Sequence, residues 1–167
     1  MKLKKGQAWG TDLTMGFLIF SMGIFIFFIY AINYTSESKE NFEIMFYEGE
    51  NIAQSILSEG SPENWNEANV IQIGILSDEK INETKLELFY NFTQTNYSQT
   101  KTIFDSSYDY YFFLDNNFTI NSVEVDGIGK PGVNSESINA TNLIKITKLT
   151  IYKEKPVTAY LYIWQPF

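Results

Sequence analysis

The sequence of 167 residues contains no cysteine, no histidine and no arginine. Without cysteine, neither a disulfide framework nor a thiolate metal site can form. Without histidine, the commonest general base and the commonest transition-metal ligand are missing, and no Ser-His-Asp triad can be built. Without arginine, bidentate contacts to phosphates and bases are missing, and a net charge of −8 repels nucleic acid. We therefore expect neither an enzyme nor a partner of nucleic acid.

Aromatic and apolar residues are plentiful by contrast. Hydrophobic residues make up 44% of the chain and aromatic residues 17%. A chain of this composition can bury a core, so wholesale disorder is not expected. Its length fits one modest domain together with an anchor.

The most apolar run covers residues 13–32, carries no charge and reads LTMGFLIFSMGIFIFFIYAI. A helix of about 20 residues, at ~1.5 Å per residue, crosses a hydrocarbon core of ~30 Å. A buried helix of a soluble protein is one alternative, but this run is apolar on every face. A cleaved secretory signal is another, but its apolar region is shorter and ends in a small-residue cleavage site, which does not follow Ile32. The run predicts a transmembrane helix.

The charges on either side of this run predict its orientation. Lys2, Lys4 and Lys5 precede it, whereas nine lysines and nineteen acidic residues follow Ile32. Positive charge is retained on the cytoplasmic side of a membrane. We therefore expect a single-pass cell-membrane protein, in contact with membrane lipid, with a cytoplasmic N-terminus and an extracellular head.

Six Asn-x-Ser/Thr sequons all follow the predicted span, as expected of an external glycoprotein. The candidate N-glycosylation sites are Asn33, Asn82, Asn91, Asn96, Asn117 and Asn139. A chain rich in asparagine and threonine also produces such triplets by chance, so composition is the alternative explanation.

The residues before the span have a distinctive order. A lysine cluster is followed by Gly6 and Gln7, then by a short polar stretch, and then by an acidic residue at the edge of the span. This order resembles the class III signal peptide of archaeal type IV pilin-like proteins. In that family a membrane-embedded leader peptidase cuts between Gly and Gln on the cytoplasmic side. The apolar helix stays in the mature subunit, anchors it in lipid and later packs in the core of a filament. The resemblance implies cleavage between Gly6 and Gln7, with the leader peptidase and other pilin-like subunits as partners.

The sequence departs from that family at the acidic residue. Pilins usually carry an acid at the fifth mature position, where it neutralises the free amine of a neighbouring subunit. With Gln7 as the first residue, the fifth is Thr11 and the acid is Asp12, and Gly10 stands where serine is common. The resemblance implies an assembly role for Asp12. The alternative is an interfacial residue that the dipole of the helix N-terminus favours.

Apolar residues continue at three- and four-residue spacing beyond the span, which predicts an amphipathic extension of the same helix. The apolar positions are Phe42, Met45, Phe46, Gly49, Ile52, Ala53, Ile56 and Leu57. A kink near residues 33–38 is an alternative, because Asn, Thr and Ser form helices poorly. The expected fold is α+β, with a long N-terminal helix, half transmembrane and half amphipathic, packed on an antiparallel β-sheet head; this is also the pilin plan. The expected divisions are a leader (residues 1–6), a transmembrane helix (7–32), an amphipathic extension (33–59) and an extracytoplasmic head (60–167).

Residues 60–89 contain a PENW turn, an IGIL segment and a leucine-containing helix, an order that also resembles archaeal pilin-like surface proteins. Ser61 and Pro62 predict the start of a short helix. Residues 69–76 predict a buried strand or extended segment, and Asn82 predicts a helix cap. A further short helix is expected at residues 98–104. We expect Trp65 to be a packing residue.

The remaining segments predict strands at residues 108–114, 117–125, 143–152 and 157–164. The first two are expected to form a hairpin around residues 115–117, and the last two around residues 153–156. In the last strand an aliphatic face is expected to cover the long helix, whereas an aromatic face is left for neighbouring subunits or for loops.

Two patterns raise the question of bound ligands. Residues 127–132 read GIGKPG, but the dinucleotide fingerprint needs a helix to begin there, and Pro131 opposes it, so we expect a surface loop. Asp105, Asp109, Asp115 and Asp126 offer oxygen atoms for calcium, but they lack the spacing of an EF-hand and are expected to be solvated surface acids. We expect no cofactor and no metal ion.

The expected function is that of a membrane-anchored pilin-like subunit, or a minor component, of an archaeal type IV pilus-like surface filament, with a role in assembly or adhesion. The alternative is a single-pass surface protein that does not polymerise and acts as a binding module or as a subunit of a membrane complex. The N-terminus of the mature chain distinguishes the two.

Overall fold

The computed structural model describes residues 4–120, 123–140 and 142–166, and for residues 4–9, 33–38 and 40 it describes the backbone alone. In chain order the elements are α1 (Lys4–Ile56), β1 (Leu76–Ser77), β2 (Lys80–Ile81), α2 (Glu83–Ile103), β3 (Asp109–Leu114), β4 (Phe118–Ile120), β5 (Val123–Val125), β6 (Ile128–Gly129), β7 (Leu143–Tyr152) and β8 (Lys155–Trp164). The chain divides into two compact units, Met1–Glu43 and Ile44–Phe167, and we call the second unit the head. The fold is α+β, as the sequence predicts.

Within the head, the last turns of α1 pack on the sheet. Ile52, Ala53 and Ile56 are buried, and Gly49 lies so close to β7 and β8 that a methyl group on its Cα would stand 2.6 Å from Cδ1 of Ile146. The helix ends at Ile56. The predicted packing of the helix on a sheet is therefore confirmed.

The buried stripe of α1 begins later than its spacing predicts. Met45 is buried, but Phe42 and Phe46 are 55% and 46% exposed. Periodicity identifies the apolar face of a helix, but it does not show how far along the helix a sheet covers that face.

The segment after α1 contains no helix at Ser61, contrary to the prediction. The backbone N–H of Ser61 donates to the carbonyl of Gln72 (2.9 Å), and the Ser61 carbonyl accepts from the N–H groups of Ile71 (2.8 Å) and Gln72 (3.0 Å). The bridge occupies the Ser61 carbonyl, which would accept the first hydrogen bond of a helix capped at that residue. Ile75 donates to the carbonyl of Ile56 at the end of α1 (2.9 Å). Of the segment predicted to be buried, residues 73–75 are buried, whereas Ile71 is 75% exposed.

Helix α2 starts where the sequence predicts. The side-chain oxygen of Asn82 accepts hydrogen bonds from the N–H groups of Thr84 (3.0 Å) and Lys85 (3.1 Å). The helix continues to Ile103 through a kink at Asn96, whose φ is −149° and ψ 65°. The separate short helix expected at residues 98–104 is the part of α2 beyond this kink.

Six strands form one sheet in the order β1-β2-β7-β8-β3-β6. The predicted β7–β8 hairpin is confirmed, with a two-residue turn at Lys153 (φ 49°) and Glu154 (φ 62°), shorter than expected. Strand β2 runs parallel to β7, pairing Lys80 with Ile151. The sheet is therefore mixed, whereas the sequence predicted an antiparallel one.

The predicted hairpin around residues 115–117 is wrong. Strand β3 pairs along its whole length with β8, from Asp109 opposite Trp164 to Leu114 opposite Ala159. The next segment forms two short strands, β4 and β5, which pair with each other in a separate two-stranded sheet. The long edge of β8 offers β3 more backbone pairs and more apolar contacts than the short segment after it could.

The two faces of β8 differ in burial, as predicted, at most positions. Val157, Ala159, Leu161 and Ile163 are buried in the core, and Tyr160 and Tyr162 are half-buried on the other face. Trp164 on that second face is only 2% exposed, so the aromatic face is closed at this end of the strand.

Candidate membrane anchor and head surface

The described part of the chain contains one segment long and apolar enough to cross a membrane, Gly10–Ile32 within α1. Its large apolar side chains are 42% to 78% exposed, and none of the segment is buried within the protein. A soluble protein would hide such a helix in its core, whereas lipid solvates it on all sides.

The residues that the resemblance implies for processing and assembly lie in this helix. Gly6 and Gln7 have helical backbone, and their side chains lie outside the described residues. Asp12 is exposed within α1. Its role in assembly stays a prediction, as does the alternative of an interfacial residue that the helix dipole favours.

The first turns of α1 in the head expose apolar residues. Ile44 is 45% exposed, Phe46 46% and Tyr47 69%. Large apolar residues that stay exposed near one another mark a surface that contacts lipid or another protein. These residues are the candidate assembly surface of the head.

The sequons differ in accessibility. Asn117 and Asn139 are exposed outside helices and strands, and Asn91 and Asn96 are exposed on α2. Asn82 is half-buried, and its side chain both caps α2 and donates to Ser77 Oγ (3.3 Å). The side chain of Asn33 lies outside the described residues. Asn117 and Asn139 are therefore exposed candidate acceptors outside the helices and strands of the head.

A buried ion-pair cluster lies at the start of β3. The Asp109 carboxylate accepts from the ammonium groups of Lys130 (2.6 Å) and Lys101 (3.3 Å) and from the Tyr97 hydroxyl (3.2 Å). Asp109 is 4% exposed. Burial by itself raises the pKa of Asp109, but the hydrogen bonds and charges of Lys130 and Lys101 outweigh it and hold that pKa below its ordinary value. The prediction of a solvated surface acid is wrong here, because the strand carries this carboxylate into the head.

Two tyrosines extend this cluster inward. The Tyr97 hydroxyl accepts from the backbone N–H of Tyr110 (3.0 Å), and the Tyr110 hydroxyl shares a hydrogen bond with Thr100 (2.6 Å). Burial raises the pKa of Tyr97 and of Tyr110 far above the ordinary value for a phenol. Both hydroxyls therefore stay neutral, and the cluster joins α2 to β3 as a structural element.

The acid Asp126 is also engaged within the head. Its carboxylate accepts from the Tyr111 hydroxyl (3.1 Å) and from the backbone N–H (2.8 Å) and hydroxyl (3.1 Å) of Ser135. In the described residues, no group of three or more acidic side chains could hold a metal ion. The expectation of a solvated acid is wrong for Asp126 as well, because these bonds tie the loop after β6 to the sheet.

The glycine-rich segment at residues 127–132 is predicted to be a surface loop, but part of it forms the buried strand β6. Strand β6 pairs with β3, and Gly127, Ile128 and Gly129 are buried. A Cβ at Gly129 would collide with the backbone carbonyl of Tyr110, and one at Gly127 would collide with the ring of Tyr111. These glycines permit close approach of two strands, and no helix begins after them.

An open groove of about 580 Å³ lies beside the start of α2, lined in part by Trp65, Asn82 and Lys85. The Lys85 ammonium is buried and donates to the carbonyl oxygens of Glu59 (2.8 Å) and Leu76 (2.7 Å). Trp65 is 2% exposed and donates from Nε1 to the carbonyl of Gly74 (2.7 Å), so its predicted packing role is confirmed. No sequence pattern indicates the burial of Lys85, since lysine on a helix is ordinarily a surface residue.

No family model matches the chain, and no curated protein or solved structure matches it. The functional interpretation therefore depends on the residues and contacts described above.

Proposed function

We propose that the chain is a membrane-anchored, pilin-like subunit or minor component of an archaeal type IV pilus-like surface filament, with a role in assembly or adhesion. The observation that carries the proposal is that α1 has two different parts. Its Gly10–Ile32 segment is apolar and unburied, and its last turns, around Ile52 and Ile56, are buried in the core of an α+β head.

The N-terminal residues support processing as well as anchorage. In the proposed pathway the leader peptidase removes residues 1–6, and Gln7 becomes the first residue of the mature subunit. The span then exchanges lipid for the helices of other pilin-like subunits. Asp12 would face the free amine of a neighbouring subunit, and the exposed Phe46 and Tyr47 would extend the apolar contact between helices.

Mass spectrometry of the N-terminal peptide, taken from native membranes and from sheared surface filaments, tests this proposal. We expect a peptide that begins at Gln7 in both fractions. Replacing Gly6 with a bulky residue (Gly6→Leu) should leave the leader attached and remove the chain from the filament fraction, whereas Lys2→Gln, a change outside the cleavage site, should not.

A non-polymerising surface protein is the second candidate, favoured by the position of the acid at Asp12 in place of Thr11. That candidate predicts a mature chain that keeps Lys4 and Lys5 and is found only in the membrane fraction. Such a result would overturn the filament proposal and leave the anchorage intact.

A further inference from the structure

Strand β7 has an open edge. Its ten residues pair with β8 on one side, but on the other side β2 reaches it only at Ile151. In the described part of the chain, the backbone of residues 143–149 makes no hydrogen bond beyond the β7–β8 pairing. On the outer face Lys145 and Thr147 are exposed, and Leu149 is 82% exposed. An edge of this kind is a template for an added strand.

The charge of this edge favours an acidic partner. Lys148 is paired with Glu50 (2.6 Å) and Lys153, after β7, with Glu83 (3.0 Å), so the positive charge that β7 leaves for a partner is that of Lys145. Lys145 lies 4.0 Å above the ring of Tyr160 and has no ion pair with any described acid. Pairing β7 with the same strand of another copy would bring the Lys145 residues of both copies to one shared edge, and natural edge strands use lysine to prevent that contact.

Strand β5 is an acidic strand with an open edge on the opposite side of the head. It pairs only with β4, and in the described residues its backbone makes no other hydrogen bond. Val123 is 63% exposed, and Glu124 is exposed with no lysine in ion-pair distance among the described residues. The neighbouring Asp126 binds the Tyr111 hydroxyl, which places β5 at the β3–β6 end of the sheet, away from the free edge of β7.

We propose that β7 of one copy accepts β5 of a second copy as an added strand, with Lys145 near Glu124. Because the two edges lie on opposite sides of the head, each copy can accept one neighbour and donate to another. A contact between unlike surfaces that does not close on itself builds an open chain of subunits. The contact deepens the proposed filament function and rests on it, and it would set the register of neighbouring heads.

Disulfide trapping in membranes and filaments of the full chain tests this contact, because the chain has no cysteine of its own. One tagged copy carries Thr147→Cys, and a second, differently tagged copy carries Val123→Cys, Glu124→Cys or Val125→Cys. We expect a disulfide between the two tags for at least one β5 position. Ile71→Cys, which is 75% exposed elsewhere on the head, is the matched control and should give none.

Two results would overturn the contact. One is the absence of any mixed disulfide with β5. The other is a disulfide between two copies that both carry Thr147→Cys, which would indicate a symmetric pairing of β7 with itself.

Charge exchange provides a second measurement. Lys145→Glu should lower the yield of the mixed disulfide about two- to fivefold, because like charges would then face each other across the added strand. The double variant Lys145→Glu with Glu124→Lys should restore the yield. Lys155→Glu makes the same charge change on β8, which lies on the other side of β7 from its free edge, and should leave the yield unchanged. An equal loss of disulfide yield in Lys145→Glu and in Lys155→Glu would contradict the proposal.

Failure of this contact and failure of the filament function are distinguishable. A mature chain that begins at Gln7 and enters filaments without any β5–β7 disulfide overturns the contact alone. A β5–β7 disulfide in a chain that keeps its leader supports the contact and overturns the filament function.

Discussion

Asp109 is a single residue that joins three parts of the head. Its carboxylate binds Lys101 on α2 and Lys130 after β6, while its own backbone pairs within the sheet. The side chains of the two lysines are 20% and 34% exposed, so water screens the ion pairs only in part. A buried charge whose partner is removed destabilises a protein more than a surface ion pair does.

We expect Asp109→Asn to lower the free energy of unfolding by about 2 kcal/mol, because both lysines lose their counter-charge while they remain partly buried. Urea unfolding of the full chain in detergent, followed by near-ultraviolet circular dichroism, measures this change. Asp105→Asn is the control, since Asp105 is exposed, and should change the value by less than about 0.5 kcal/mol. Equal effects of the two substitutions would show that the cluster contributes nothing specific.

The Asp109 carboxylate also makes the stability of the folded chain depend on pH. Its pKa is held below the ordinary value in the folded chain, so its stabilising contribution is complete above the pKa of the unfolded chain, about 4. That contribution is lost as the pH falls through the lower folded pKa. The difference in the free energy of unfolding between the unaltered chain and Asp109→Asn should therefore shrink below about pH 4. A difference that stays constant down to about pH 2 would show that the ionised Asp109 carboxylate does not stabilise the head.

Helix α2 shows how a short motif can serve two purposes at the scale of one element. Asn82 is both the cap of the helix and the acceptor of a sequon completed by Thr84. The cap satisfies two N–H groups that the helix itself leaves without partners.

Two substitutions separate these purposes. Asn82→Ala should lower the free energy of unfolding by about 1 kcal/mol, because it removes the cap. Thr84→Ala destroys the sequon but keeps the cap, since Thr84 supplies only its backbone N–H, and it should leave stability nearly unchanged in chain produced without glycosylation. Thermal unfolding measures both effects. A larger decrease in the free energy of unfolding for Thr84→Ala than for Asn82→Ala would show that the Asn82 cap does not control the start of α2.

At the scale of the whole molecule, the proposed topology places the head outside the cell. The lysines near the N-terminus favour this orientation. The strand β7 offers an exposed position, Leu149, at which the orientation can be measured.

We expect a Leu149→Cys variant to react with a membrane-impermeant maleimide in intact cells, because the unaltered chain has no cysteine and this position is 82% exposed. Ile81→Cys, at a position that is 6% exposed, should react only after unfolding and controls for exposure. Labelling of Leu149→Cys only after cell lysis would reverse the proposed orientation.

The sequence by itself determined the features that depend on neighbouring residues. The apolar span, the cap at Asn82 and the β7–β8 hairpin follow from an uncharged run, a capping side chain and two alternating segments joined by a short turn. Local chemistry decides these features, because their hydrogen bonds and apolar faces lie within a few residues of one another. The sequence likewise contains the candidate leader and the six candidate sequons, since other molecules recognise such motifs as short segments.

Only the tertiary structure decided which distant segments meet. Strand β3 pairs with β8 and β6 and not with the segment that follows it in the chain. The short strand β2 pairs in parallel with β7. The burial of Asp109 and the close approach of Gly129 to Tyr110 follow from that pairing. Periodicity assigns a face to each strand but carries no information on which other strand will cover it. That choice depends on the apolar area and the backbone pairs that the whole head can satisfy at once.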